Sequence, residues 1–199
     1  MSDEMTKSHL CRVRNSDYTW LKGDVLDVGC GPIPIKLPPP SVVRGWDLED
    51  GDAQLLEGVK DASFDVVCAS HCLEHMRDPD EAMRNWSRVL REGGRMYLLV
   101  PLYSAYEKFN DFAHGSSNPS RFNADHKTSW DLISPPVAPR NHEHYDFPRI
   151  VRMGSQAGMT LTDLRIELDG FHWEKMFDRE WDTTQHGGMA QLCMIFAKL

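Results

Sequence analysis

Apolar positions along the chain follow two different periods, and the points where the period changes outline an α/β fold. The runs at 25–28, 42–46 and 64–69 are short, largely apolar and rich in β-branched residues, as strands covered on both faces are. Residues 95–101 form a further run of this kind, and 159–168 and 189–197 alternate well enough to be the closing strands. Between them Met83, Trp86, Val89 and Leu90 recur at helical spacing. Asp78 as N-cap, Pro79 at the first helical position, and Asp80 and Glu81 in the first turn predict a helix beginning there, with Gly93-Gly94 as its end. A second helix is predicted over 146–157, closed by Gly158.

Two stretches depart from this alternation. Pro32, Pro34, Pro38, Pro39 and Pro40 crowd the region after the first strand, and a proline inside a helix costs about 3 kcal/mol, so a helix here is short or missing. Asp52 follows Asp47 by five residues, too few for a helix and a full strand, which predicts a sheet trimmed at this edge. The trimming reads equally as a re-walled site or as economy at an edge without function. Residues 102–145 carry no period but hold many aromatics and histidines. An irregular segment of that length is expected to be a substrate-binding lid, the alternative being a loop whose aromatics pack on the core. Residues 1–22 form a polar lead with Leu10, Val13, Tyr18 and Trp20 as docking points, and 171–188 is a candidate second wall.

Composition narrows the class without changing this outline. The 199 residues, 41% hydrophobic, suit a single domain over 1–199 with its own core. A net charge of −8 argues against a nucleic-acid partner, which would require clustered Lys and Arg. Five cysteines without paired spacing read as reduced thiols of a cytoplasmic protein. No run approaches the roughly 18 apolar residues of a membrane span, so no membrane partner is expected. No oligomeric state is assigned.

The candidate chemistry starts where the first strand runs into Gly29-Cys30-Gly31. Two glycines let the backbone turn tightly and let a polar ligand approach the main chain, at the carboxyl end of a strand where open α/β sheets bind ligands. Taken alone, the pattern is equally that of any buried strand ending in a turn. Asp47 lies 20 residues beyond Asp27 and ends the second strand, a placement suited to a ribose diol. A dinucleotide site would want glycine at position 34, where Pro34 stands.

In order, Asp24-Val25-Leu26-Asp27-Val28-Gly29-Cys30-Gly31, Asp47, Gly51-Asp52-Ala53-Gln54, the run 62–69, Ser70-His71-Cys72-Leu73-Glu74-His75 and the run 87–101 resemble the class I S-adenosylmethionine-dependent methyltransferases. The resemblance covers 20–101 closely and the rest in general plan. It implies a Rossmann-like, doubly wound, seven-stranded-type sheet, mostly parallel with an antiparallel last strand and helices on both faces. It implies S-adenosylmethionine as cofactor, bound by Asp27 and Gly29 at its amino-acid end, Gly31 in the glycine turn, Asp47 at the ribose, Asp52 and Ala53 at the adenine edge, and Ser70 beside the methionine part.

The expected reaction is methyl transfer to an oxygen or nitrogen of a small molecule, sugar or carrier-bound metabolite. Ser70-His71-Cys72-Leu73 stands where amino-methylases of nucleobases carry Asp/Asn-Pro-Pro-aromatic, which disfavours a base target. His126, ahead of His71 and His144, is the candidate base for a hydroxyl nucleophile, since a histidine titrates near neutrality. His142-Glu143-His144 and Asp125-His126 supply metal-ligand types, but no metal is assigned, and Glu74-His75 is read as loop-organising. The rival from another class is a cofactor-binding protein without catalysis.

Overall fold

The computed structural model describes residues 12–106, 125–133, 143–169 and 189–199. Eight strands and two longer helices are described: β1 (Asp24–Val28), β2 (Val42–Trp46), β3 (Phe64–Ser70), α1 (Pro79–Val89), β4 (Leu90–Pro101), β5 (Thr128–Trp130), β6 (Glu143–Tyr145), α2 (Phe147–Gln156), β7 (Met159–Glu167) and β8 (Gln191–Lys198). Six of the strands form one sheet in the order β2-β1-β3-β4-β8-β7. β2, β1, β3 and β4 pair in parallel, and β8 runs antiparallel to both β4 and β7. The sheet is therefore mostly parallel, with the last described strand reversed, but among the described residues it has six strands where the expected type has seven.

The missing strand is on the side where the chain is short. Between Trp46 and Phe64 there are only turns, and β2 is the edge, with Val42 exposed. Side chains from α1 replace strand pairing as the anchor for this loop. The Trp86 indole N–H donates to the Ala53 carbonyl at 2.7 Å, and the Arg88 guanidinium donates to the carbonyls of Val59 at 2.8 Å and Leu56 at 3.1 Å. Backbone acceptors that a neighbouring strand would have used are satisfied in this way.

One face of the sheet carries a large core. Leu26, Val28, Val67, Leu98 and Met194 pack there against Ala82, Met83, Trp86 and Val89 of α1 and Ile150 and Met153 of α2. Both helices start as their sequences predict, with the Asp78 carboxylate accepting from the Glu81 N–H, Asp146 accepting from Arg149 N–H, and a proline in each first turn. The other face differs from expectation: among the described residues no long helix covers it. Val25, Val66, Cys68, Tyr97, Leu99, Cys193 and Ile195 are instead sealed by Tyr18, Leu21 and Ile35, from the lead segment and the proline-rich loop. The proline-rich residues 32–40 contain no helix, in keeping with their composition. They pack so closely over β2 that a side chain at Gly45 would meet Pro34 Cγ at 2.6 Å.

The lead segment is held by a buried charge. Asp17, fully buried in a 3-10 turn, accepts from the Tyr97 hydroxyl at 2.8 Å and from Arg165 at 2.7 Å. Of the expected docking residues Tyr18 packs inward, Val13 and Trp20 are substantially exposed, and Leu10 lies outside the described residues.

Gly93-Gly94 does not end α1. The helix stops at Val89, and the chain enters β4 at once; the glycines sit within that strand, where the register against β3 shifts between Phe64 and Val66. Gly93 has φ +74°, and a Cβ on Gly94 would lie 2.8 Å from the Arg91 carbonyl oxygen, so the pair accommodates an irregularity in the ladder rather than a cap.

The loop anchored by α1 makes a stability prediction. Trp86→Phe keeps the apolar ring but leaves the Ala53 carbonyl without its donor, and is expected to lower unfolding stability by about 1–3 kcal/mol. Urea denaturation would read it, with hydrogen exchange rising first in residues 53–61.

Candidate functional site

The carboxyl ends of β1, β2 and β3 lie side by side, and the turns leaving them carry most of the expected site residues. At the first, Gly29 and Gly31 have φ of +70° and +62°, conformations that side chains other than glycine adopt only at a cost. The two glycines serve different purposes. A Cβ on Gly29 would lie 2.6 Å from Cys72 Sγ, so this glycine is required by the next turn of the protein itself. A Cβ on Gly31 would meet nothing within 4 Å, so its bare backbone faces open space.

Asp47 joins the first turn to the end of β2. One carboxylate oxygen accepts from Gly31 N–H at 2.6 Å and the other from Leu48 N–H at 2.8 Å. A carboxylate has about four acceptor positions, so two remain for a diol on the exposed side. Asp27 has a different setting. It is buried below the turn and accepts from Ile35 N–H at 2.7 Å, which makes it a support for the loop that follows the glycines. Burial pushes its carboxyl up, offset by the Ile35 bond and by the Arg12 guanidinium.

Asp52 caps its own turn by accepting from Gln54 N–H at 2.8 Å and pairs with Arg77 at 2.9 Å. Ala53 gives its carbonyl to Trp86. Ser70 ends β3, opposite Leu99 of β4. His71 follows with φ +54° and donates its backbone N–H to the Leu99 carbonyl.

The turn after β3 holds the densest polar group among the described residues. Glu74 is almost wholly buried, and neither carboxylate oxygen accepts a hydrogen bond from the described residues. Around it stand His71, with Nδ1 3.5 Å from Oε1, and His126, with Nε2 4.0 Å from the same oxygen. The His75 ring packs edge-on against His126 with centroids 4.9 Å apart. Burial pushes the Glu74 carboxyl up, but the surrounding histidines, His71 first, outweigh it and hold the group below its usual range. Burial pushes His126 down to about 4, so its imidazole is neutral at pH 7.

His126 reaches this turn because its own segment docks there: Lys127 N–H donates to the Glu74 carbonyl at 2.8 Å, and β5 pairs with β6 next to the end of β4. That segment belongs to the expected lid, of which residues 107–124 and 134–142 lie outside the described residues. His144 stands apart from the cluster. Its Nδ1 lies 2.7 Å from Ser129 Oγ and its Nε2 3.2 Å from the Ile133 carbonyl oxygen, so both ring nitrogens are engaged. Glu143 pairs with Arg149 and His142 lies outside the described residues, so the described part of that triplet forms no ligand set.

Sequence reasoning saw Glu74 but read it as loop-organising. The signal for its second role was His71 and His75 flanking it at three and one residues. Gln191 was missed altogether. It lies 2.8 Å from His71 Nε2 through its Oε1, and comes from the last strand, 120 residues on, with nothing local to mark it.

Comparison with known proteins agrees with the geometry. Residues 36–98 match the family model of a methyltransferase domain. A ubiquinone/menaquinone biosynthesis C-methyltransferase of Vibrio campbellii is 37% identical over 57 residues, covering 25% of this chain and 22% of that protein. The 27-O-demethylrifamycin SV methyltransferase of Amycolatopsis mediterranei is 53% identical over 45 residues, covering 21% and 16% respectively. The matched stretch thus spans about a fifth of the length of these relatives.

Whole-chain likeness is in the fold. A Bacillus halodurans C-125 protein assigned as a methyltransferase superposes with TM-score 0.59 at 18% identity, covering 100% of this chain and 99% of that one. An S-adenosylmethionine-dependent methyltransferase of Methanosarcina mazei gives 0.56 at 14% identity, covering 94% and 97%. Residues 36–98 thus match a methyltransferase domain, and they are set in a sheet whose fold is shared with these two structures.

Proposed function

We propose that the protein transfers the methyl group of S-adenosylmethionine to an oxygen or nitrogen of a small molecule, sugar or carrier-bound metabolite, in the cytoplasm. The observation that carries this reading is the open face of Gly31 beside the two remaining acceptor positions of Asp47. The bare glycine leaves room for a bulky polar ligand against the main chain, and the carboxylate suits the ribose diol of that ligand. Bound there, the sulfonium supplies an electrophilic methyl group. A lone pair of the acceptor forms the new bond to the methyl carbon, the carbon–sulfur bond breaks with its electrons to sulfur, and the acceptor loses one proton.

The chain's own part is to align the acceptor and to provide for that proton. Gly29 and Asp27 shape the turn from beneath, and Asp52 with Ala53 borders the adenine end. Ser70 and His71 leave β3 toward the methyl group, and the cluster of His71 and His126 around Glu74 lies at the acceptor end. His126 and His71 are the groups we assign to the acceptor's proton; His144, with both ring nitrogens bonded, stands behind them. Carbon is the target named for the Vibrio relative and oxygen for the Amycolatopsis one, and an O–H acceptor is what a histidine cluster would serve. The alternative, a cofactor-binding protein without catalysis, is favoured by the missing edge strand.

Three outcomes test these assignments. Asp47→Ala should weaken binding of S-adenosylmethionine and of its demethylated product by about 1.5–3 kcal/mol, read by calorimetry; unchanged affinity would remove the ribose assignment. Gly31→Ala meets no atom within 4 Å and should cost only about 1–2 kcal/mol of stability from its backbone conformation, while cofactor affinity falls more steeply. A screen for labelled-methyl transfer into small-molecule extracts should yield a methylated product with the intact chain and little with His126→Ala. Cofactor binding without transfer in any extract favours the non-catalytic reading.

A further inference from the structure

We propose that Glu74, His75 and His126 form a binding site for a divalent first-row transition-metal ion, with His71 as the outer group that orients Glu74. The proposal rests on the methyl-transfer reading above, and gives the acceptor end of that site its chemistry. One ligand atom from each of the three residues lies within 4.8 Å of the others. Two histidines and one carboxylate are the set that holds catalytic zinc and related ions while leaving coordination positions open. Ligand atoms of a tetrahedral zinc ion lie about 3.3 Å apart, given Zn–N bonds of about 2.0–2.1 Å. Modest side-chain rotation would close the three atoms onto an ion.

The first independent observation is Glu74 itself. A carboxylate this deeply buried, with both oxygens lacking hydrogen bonds among the described residues, is costly unless a cation faces it. The second is the direction of the hydrogen bonds behind His71. Gln191 Nε2 donates to the Glu167 carboxylate at 2.6 Å, which turns Gln191 Oε1 toward His71 Nε2 at 2.8 Å. An amide oxygen only accepts, so His71 Nε2 carries the hydrogen. In the neutral ring the Nδ1 lone pair then points toward Glu74 Oε1 at 3.5 Å, acceptor against acceptor. A proton on Nδ1 or a metal cation in the cluster relieves that opposition, and the Glu167–Gln191–His71 chain is the type of outer support that metal sites use.

A second group of possible ligands, Asp17, Glu167 and Cys193, provides the contrast. There the Arg165 guanidinium already supplies the positive charge, 2.7 Å from Asp17 and 3.1 Å from Cys193 Sγ. Among the described residues no Arg or Lys is paired with Glu74, which faces His71 and His126 instead, charged only when protonated.

The class of acceptor follows. An ion held by three protein ligands would have positions left for a hydroxyl of the substrate, and its charge would make that hydroxyl's proton easier to lose, to water in place of His126, which in the ion-bound state is a ligand rather than the base. The oxygen lone pair then attacks the methyl carbon as the carbon–sulfur bond breaks. The proposed substrate class is therefore an alcohol or enol, which needs this assistance, rather than an amine, which does not.

The test titrates Zn²⁺, and separately Co²⁺ with its visible absorption, into the chelator-treated full chain. The expected result is one ion per chain with a low-coordinate Co²⁺ spectrum. His75→Ala, at a half-exposed position tolerant of change, and Glu74→Gln should each lose at least tenfold in affinity. His71→Asn should lose about 10–100-fold as an outer-shell change. Cofactor affinity, measured in parallel, should be unchanged in His75→Ala and Glu74→Gln, which shows both variants folded and separates this proposal from the methyl-transfer reading; thermal unfolding reports the fold of His71→Asn. Absence of stoichiometric ion binding, or binding that survives both His75→Ala and Glu74→Gln, overturns the metal site. Failure of the wild-type chain to bind S-adenosylmethionine overturns the methyl-transfer reading whether or not the ion binds.

Discussion

The bond from the Gly31 amide to the Asp47 carboxylate is the contact on which the end of the sheet proposed for the cofactor depends. It ties the exit of β1 to the exit of β2 just where the sheet lacks its outer strand. Parallel pairing alone brings two strand ends together but does not fix the turns beyond them. Here an anionic acceptor holds one glycine amide, Asp27 holds the Ile35 amide below, and Cys72 fills the space that Gly29 leaves. The result is a backbone surface shaped by side chains that point away from the ligand. Most of the polar groups proposed for the cofactor thus have structural bonds of their own, so their removal changes the shape of these turns.

The strands of the six-stranded sheet and both helices were legible in the sequence because the physical signals were local, whereas β5 and β6 lie in the stretch without a period. β1, β2 and β3 are apolar runs, and the Asp78 and Asp146 caps act within one turn of the chain. The prolines after β1 excluded a helix for the same reason. What escaped was set by distant contacts. Gly93-Gly94 looks like a helix stop, but its conformation answers to the Asp65 carbonyl across the sheet. The lead segment has too weak a pattern to show that Asp17 would be buried, since the partners that make burial tolerable, Tyr97 and Arg165, lie far along the chain.

The candidate site divides in the same way. The glycine turn and Asp47 stand out in the sequence only together with the order of the segments that follow them. The three histidines expected to compete for one role were residue types without a geometry, and the fold sorts them. His71 and His126 meet at Glu74, whereas His144 is spent on Ser129 and the Ile133 carbonyl. Glu74 was visible next to His75, but its burial, which turns a loop residue into a centre of charge, is a property of packing.

Buried thiols reflect the same economy: Cys68 and Cys193 are pushed up to about 12 by burial, so they act as small apolar fillers of the face that no long helix covers among the described residues. That face has a consequence for how the chain is made. Its cover includes Asp17, and the lead segment's ties run to the far end of the sequence: Asn15 to Glu167 at 2.8 Å, Asp17 to Arg165, and Arg14 to Asp169. During synthesis the lead segment emerges well before Glu167 and Arg165 do, since they lie 152 and 148 residues further along the chain from their partners. Until then the apolar surface of β1 and β3 waits uncovered, and closing so long a loop is an entropic cost met at the end. The earliest residues of the described chain are therefore among the last to find their place.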